Sequence, residues 1–182
     1  MIVGMTGLAG SGKDTVARYL AERYGFAVVS FAMPLYMAVS AITDMSLDDL
    51  HDRELKERPI PWLGKSPREL LQSLGTDWGR RMVAEDIWIK VAMHRVKEIA
   101  DEGGNVVIPD VRFDNEAMAI RLAGGENWLV KRPDVHSCVG AAADHESEKG
   151  ISEILVDADI LNDSSVEALY AQADRSLVQY KE

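Results

Sequence analysis

The sequence predicts an α/β fold, a parallel sheet with helices on both faces. Three observations point there. Short apolar runs alternate with stretches of helical period along most of the 182 residues, the pattern of successive strand–helix units. The first apolar run passes through three glycines straight into a helical stretch, as the turns at the carboxyl edge of such sheets do. Hydrophobic residues make up 47% of the chain, enough for a core covered on two sides.

The elements follow in order. "MIVGM" reads as a short buried strand. Residues 13–24 place Val16, Leu20 and Tyr24 on one helical face, and Gly25 is a stop signal. "FAVVSF" (26–31) reads as a second strand, and Pro34 opens a helix through Ile42. Residues 43–65 are polar, with Pro59, Pro61 and Gly64, and read as a loop-rich excursion. "SPRE" (66–69) is a helix start: Ser66 as N-cap, Pro67 in the first turn, Glu69 closing a capping box. Leu70, Leu71 and Leu74 continue it as an apolar stripe. Another helix covers 85–100. "NVVIPD" (105–110) is a buried strand ending in a carboxylate, 114–123 a helix, and "NWLVK" (127–131) a strand. Residues 133–150 are irregular and polar. "ADILN" (158–162) is a last strand, and "SSVE" (164–167) reads as a second capping box before a C-terminal helix with Val166, Leu169, Tyr170 and Leu177.

Composition narrows the function. A net charge of −10 disfavours a binder of polymeric nucleic acid, which needs a basic face. It leaves room for a small phosphorylated substrate held by local arginines and a metal ion. Cys138 is the one cysteine, so no intrachain disulfide forms. The start lacks the basic lead of a signal peptide, and no apolar run approaches the ~20 residues of a membrane span. The expectation is a cytoplasmic protein without a membrane partner, with a homodimer left open.

"GLAGSGKDT" (7–15) carries the chemistry. Gly7, Gly10 and Gly12 permit backbone conformations that a Cβ forbids. The amides of Gly10, Ser11, Gly12, Lys13, Asp14 and Thr15 can then converge on ATP phosphate oxygens, aided by the helix dipole. Lys13 reaches the β- and γ-phosphates. Gly7-x-x-x-x-Gly12-Lys13 is a Walker A pattern with Asp14 in place of the usual hydroxyl. A carboxylate is also a hard oxygen ligand for Mg²⁺, although an acidic residue there also suits the helix dipole alone. Thr15 offers the hydroxyl one position late. Asp110, at a strand end, is a further candidate metal ligand, or otherwise a turn former.

A second phosphate site is suggested by "SPRELLQSLGTDWGRR" (66–81). Arg68 and Gln72 share a helix face opposite much of the leucine stripe. Arginine suits a bidentate phosphate contact and glutamine a base edge, while a plain solvated face has the same spacing. Arg112 lies just beyond Asp110. Of the tryptophans, Trp88 and Trp128 sit in apolar segments and read as core, and Trp62 in the polar excursion is the better base-stacking candidate.

Together "SGKDT" (11–15), "RELLQSLGTD" (68–77), "IPDVRFDNE" (108–116), "VKRP" (130–133), "DHESE" (144–148) and "DADILNDSSVEAL" (157–169) give the chain its resemblance to the bacteriophage deoxynucleoside monophosphate kinase family. The aspartate after the P-loop lysine is shared with it. The resemblance implies one P-loop kinase domain over 1–182, like the nucleoside monophosphate kinases, with a helical monophosphate-binding region over about 34–100 and a lid over about 133–150. It implies transfer of the ATP γ-phosphoryl group to a dNMP with Mg²⁺, in the host cytoplasm if the chain is phage-encoded. By residue, it implies Lys13, Asp14, Arg112 and Arg132 in catalysis, with Arg132 a lid arginine. Arg68, Gln72, Asp77, Arg112, His145 and Glu148 are expected at the acceptor, and Asp14, Thr15 and Asp110 around Mg²⁺. Two rivals stand beside this reading: a P-loop kinase of another phosphorylated metabolite, such as dephospho-coenzyme A or phosphomevalonate, and a nucleotide-binding switch without an acceptor.

Overall fold

The computed structural model describes residues 1–133 and 150–179, which divide into two compact units. One comprises Met1–Val29 and Met93–Glu182, the other Ser30–Ala92.

The first unit is built on a five-stranded, wholly parallel sheet in the order β2-β3-β1-β4-β5. The strands are β1 (Ile2–Thr6), β2 (Ala27–Val28), β3 (Val106–Ile108), β4 (Glu126–Lys131) and β5 (Ala158–Leu161). All five residues of β1 are buried, as expected of a central parallel strand covered on both faces. Alternation assigns its side chains to two cores. Val3 and Met5 pack with Val16 and Leu20 of α1 (Lys13–Tyr24) and with Leu169 and Ala173 of α8 (Val166–Gln179). Gly4 faces the other way, toward α7 (Asp114–Leu122). A Cβ there would lie 2.6 Å from both Asn127 Oδ1 and Ile120 Cδ1, so glycine is what lets α7 close on the sheet.

The second unit contains α2 (Met33–Thr43), α3 (Leu47–His51), α4 (Arg53–Glu57) and α5 (Pro67–Gln72). The last continues as an 11-residue π-helical segment, Ser73–Val83, and α6 (Ile87–Asp101) starts here and ends in the first unit. Val39, Leu50 and Leu71 form its core. Ser66 caps α5 with the expected box: its side chain accepts from Glu69 N, and the Glu69 carboxylate accepts from Ser66 N at 2.8 Å. Trp88 donates to Gly75 O at 2.8 Å and lies flat enough against Gly79 that a Cβ there would come within 2.5 Å of the ring.

Three local expectations are corrected. The run 26–31 forms a strand only over Ala27–Val28, with Val29 N donating to Val107 O at 3.0 Å just beyond it; Phe26, Val29 and Phe31 are buried. Residues 43–65 are not loop throughout. Ser46 and Asp52 cap the short helices α3 and α4, and Ser46 forms a capping box with Asp49. The cap of α8 is Ser165, whose hydroxyl accepts from Ala168 N at 3.3 Å, so the box expected from Ser164 to Glu167 is out of register by one residue.

Candidate functional site

The glycine loop joins β1 to α1, and its shape follows from its sequence. Gly7, Gly10 and Gly12 all have positive φ, at 137°, 81° and 111°. Two of them are also too crowded for a side chain. A Cβ on Gly7 would lie 2.2 Å from Val130 O, and one on Gly12 would lie 2.7 Å from Asn162 Nδ2. The loop therefore runs hard against the ends of β4 and β5, and residues with side chains are excluded for two reasons at once. Gly12 caps α1 without any side-chain partner, which leaves the first amides of the helix directed at the loop. Lys13 Nζ folds back over the loop and donates to Gly7 O at 2.6 Å and Leu8 O at 2.8 Å.

Two clefts open beside this loop. The larger, about 430 Å³, is lined by Gly7, Ser11 and Lys13 of the loop, by Arg112 beyond β3, and by Lys131, Arg132 and Glu153. Four cationic residues and one acidic residue thus line one cavity in a chain of net charge −10, the Lys131 ammonium being paired with Asp159 at 2.9 Å. A local field of that sign suits a polyanion, whatever the net charge of the protein. The smaller cleft, about 310 Å³, is lined by Gly10, Gly12, Lys13, Asp14 and Thr15 together with Arg132, Asn162, Ser164 and Val166.

The arginine-bearing loop is held from two sides. Val111 N donates to Met5 O at 3.1 Å, tying the loop to the end of β1. Glu116, only 3% exposed, accepts from Arg112 N at 2.8 Å and Phe113 N at 3.2 Å. Asp114, two residues after Arg112, accepts from Ser152 N at 2.7 Å and from Ser152 Oγ at 2.5 Å. These two hydrogen bonds hold the Asp114 carboxyl below its ordinary range.

Lys13, Arg112 and Arg132 line the larger cleft, and Gly10, Gly12, Lys13, Asp14, Thr15 and Arg132 the smaller. Ser11 is buried, with its hydroxyl unpartnered among the described residues. Asp110 lies in the tethered loop two residues before Arg112. Asp14 is exposed in the first turn of α1. Among the described residues no cluster of three or more metal-binding side chains occurs. Asp14 and Thr15 line the smaller cleft together, whereas Asp110 lines neither of the two clefts; a carboxylate and a hydroxyl are hard oxygens of the kind that suit an ion which keeps most of its waters, as Mg²⁺ does.

Arg68, Gln72 and Asp77 belong to the second unit. Arg68 and Gln72 are exposed on α5 while Leu71 of the same helix is buried. Arg68 Nε is paired with a Glu57 carboxylate oxygen, and Asp77 with Arg81 at 2.9 Å. Trp62 is 67% exposed, whereas Trp88 and Trp128 are buried, as read from their settings. His145, Glu148 and all of the expected lid but Pro133 and Gly150 lie outside the described residues. Sequence reasoning passed over Glu116, Lys131, Ser152 and Asn162. Glu116 and Asn162 stand inside the quoted stretches "IPDVRFDNE" and "DADILNDSSVEAL". Glu116 accepts from the N–H of the N-cap Phe113, the acidic half of a capping box without its hydroxyl; Asn162, whose amide binds a distant carbonyl, has no spacing signature.

Similarity to known proteins agrees with this geometry. The sequence profile of the family described as deoxynucleotide monophosphate kinase matches residues 61–173. A protein of Acanthamoeba polyphaga mimivirus, provisionally named a deoxynucleotide monophosphate kinase, is 33% identical over 94% of this chain and 93% of its own length. The deoxynucleoside-5′-monophosphate kinase of Escherichia phage T5 is 26% identical over 89% of each chain. Among solved structures, the dephospho-CoA kinase of Campylobacter jejuni shares the fold at a TM-score of 0.52 and 14% identity, over 98% of this chain and 96% of that one. With a glycine loop, a converging set of cations and this similarity along nearly its whole length, the chain belongs to the deoxynucleotide monophosphate kinase family.

Proposed function

We propose that the protein transfers the γ-phosphoryl group of ATP to the phosphate of a deoxynucleoside 5′-monophosphate, giving ADP and the diphosphate. The observation that carries this is the larger cleft, where the P-loop lysine shares one cavity with Arg112, Lys131 and Arg132. A nucleotide switch needs a cradle for one set of phosphates. Two arginines from separate strand ends, beside the P-loop, suit a second phosphate and the charge that develops between donor and acceptor.

Little covalent chemistry is asked of the side chains. An acceptor phosphate oxygen attacks the γ-phosphorus, the bond to the β–γ bridging oxygen breaks, and ADP leaves with that electron pair. The loop amides from Gly10 to Thr15 hold the ATP phosphates. Lys13 exchanges its carbonyl partners Gly7 and Leu8 for phosphate oxygens. Arg112 and Arg132 neutralise the moving group, and Arg68, Gln72 and Asp77 hold the acceptor. Asp14, Thr15 and Asp110 would hold Mg²⁺, which supplies charge neutralisation on the β- and γ-oxygens.

Transfer of label tests the reaction type. With γ-labelled ATP and a mixture of the common dNMPs, label is expected in dNDP in a one-to-one ratio with ADP. Label released only as inorganic phosphate would replace the kinase reading with hydrolysis.

A further inference from the structure

We infer that Asn162 is a positioning residue that sets the shape of the phosphate loop, and that it does so through backbone and not by touching the nucleoside. The inference rests on the kinase reading above for its consequence, but its geometry stands alone. Asn162 follows β5 directly and is half-buried. Its side-chain Nδ2 donates to Ser11 O at 2.9 Å across 151 residues of sequence. Its own backbone N–H donates to Lys131 O at 2.7 Å. One residue therefore ties the P-loop to the end of the strand that leads into Arg132.

The consequence comes from peptide geometry. The carbonyl of Ser11 and the N–H of Gly12 belong to one planar unit and point in opposite directions. Fixing the carbonyl against Asn162 turns the Gly12 N–H to the other side, and Gly12 is the cap whose successors form the anion-binding turn of α1. The approach is close: a Cβ on Gly12 would meet the same Nδ2 at 2.7 Å. The amide thus fills the space that glycine leaves, so loop and amide form one fitted unit. Without the donor, the Ser11 peptide is free to rotate, and ordering it becomes part of the cost of binding phosphate. The hydrogen bond to Lys131 O is made by the backbone and survives any change of side chain. It fixes Asn162 itself, so the side-chain contact can be removed alone.

Asn162 also lines the smaller cleft, so direct contact with the nucleoside of ATP is the competing role. Inorganic tripolyphosphate separates the two, because it engages the loop and has no nucleoside. Binding of ATP and of tripolyphosphate, each with Mg²⁺, would be measured by calorimetry on the full chain for wild type, Asn162→Ala, Asn162→Asp and, as a control outside both clefts, Val178→Ala on the exposed face of α8. Removing one partner of a half-buried amide–carbonyl pair is expected to weaken both ligands by about tenfold. Asn162→Asp, which keeps the shape but loses the donor, should be at least as weak, and Val178→Ala should stay within about twofold of wild type, below the cost of one net hydrogen bond. In turnover, KM for ATP should rise while KM for the monophosphate stays within the same factor, a split that a general loss of folded protein does not produce. Melting midpoints check that each variant is folded, and if Asn162→Ala fails to fold the Asp variant is read instead. Weakened ATP binding with unchanged tripolyphosphate binding overturns the inference in favour of nucleoside contact. Unchanged binding of both overturns it outright. Because binding is measured without transfer, failure of the kinase reading leaves this outcome readable.

Discussion

At the residue scale, the oddity is an aspartate where Walker A loops carry a hydroxyl. The structure gives Asp14 two roles to choose between: it is exposed in the first turn of α1, where the helix dipole favours it, and it lines the smaller cleft with Thr15. Asp14→Asn keeps the shape and removes the charge. A metal role predicts that the Mg²⁺ concentration for half-maximal rate rises several-fold. If it does not move, only the dipole contribution of about 0.3–1 kcal/mol remains. Lys13 is the sharper case. It is satisfied on the Gly7 and Leu8 carbonyls and contributes nothing to the apolar core. Lys13→Ala should leave the melting midpoint in place and lower kcat by about 10²–10³-fold, the usual effect of losing one donor to transition-state charge. A variant turning over near the wild-type rate at saturating ATP would remove the lysine from the mechanism. The P-loop residues were legible in the sequence because glycines at fixed offsets have a backbone reason. Of the residues that hold the loops, Asn162 was not, because its partner is a main-chain atom 151 residues away; Glu116 binds amides three and four residues back, but the cap before it, Phe113, has no hydroxyl to mark a capping box.

At the element scale, the helices with strong boundary signals came out where the sequence put them: α1 ends at Gly25, and α5 starts at the Ser66 box. The π-helical segment had no such signal. Of its two buried glycines, Gly79 is explained by Trp88, whose ring packs on it, and Gly75 by Leu35, whose Cδ1 would lie 3.2 Å from a Cβ there. Those contacts are tertiary, and local periodicity does not report them. Gly79→Ala should therefore destabilise by about 1–3 kcal/mol through overpacking against a rigid indole, against the gain of about 1 kcal/mol usual for Gly→Ala in a helix. Thermal or urea unfolding decides it: a raised midpoint would mean the ring moves aside freely. The Asp114–Ser152 clasp joins α7 to the segment before β5 and carries a pH signature. The folded carboxyl titrates below its ordinary value of 3.8, so its stabilisation is present above that value and is lost as pH falls through the lower folded one. Wild type should exceed Asp114→Asn in stability by a constant margin above about pH 5, and the margin should close on acidification below about pH 4. A margin independent of pH would show that the charge on Asp114 is irrelevant to the clasp.

At the scale of the whole molecule, the sheet order and the burial of β1 place the ends of β1, β3, β4 and β5 around one loop, and the site is assembled from those ends. This was legible in outline. Alternating strands and helices implied a parallel sheet, and a parallel sheet binds ligands beyond its carboxyl edge. From the residues alone the second unit showed as a polar, proline-bearing stretch after α2, because apolar periods in short helices such as α3 and α4 span too few residues to register; the resemblance implied a helical region over about 34–100, and the compact unit runs over Ser30–Ala92. The acidic net charge disfavoured polymeric nucleic acid but left room for a small phosphorylated substrate held by local cations, and Lys13, Arg112, Lys131 and Arg132 line one cavity. What this assembly most directly claims is an acceptor as well as a donor. A coupled ADP-release assay across all common deoxynucleoside and ribonucleoside 5′-monophosphates, with dephospho-coenzyme A and phosphomevalonate alongside, tests it. The account predicts ADP release that depends on adding at least one deoxynucleoside monophosphate and is absent with the two other metabolites. ADP release unaffected by every deoxynucleoside monophosphate, or stimulated only by one of those metabolites, would contradict it.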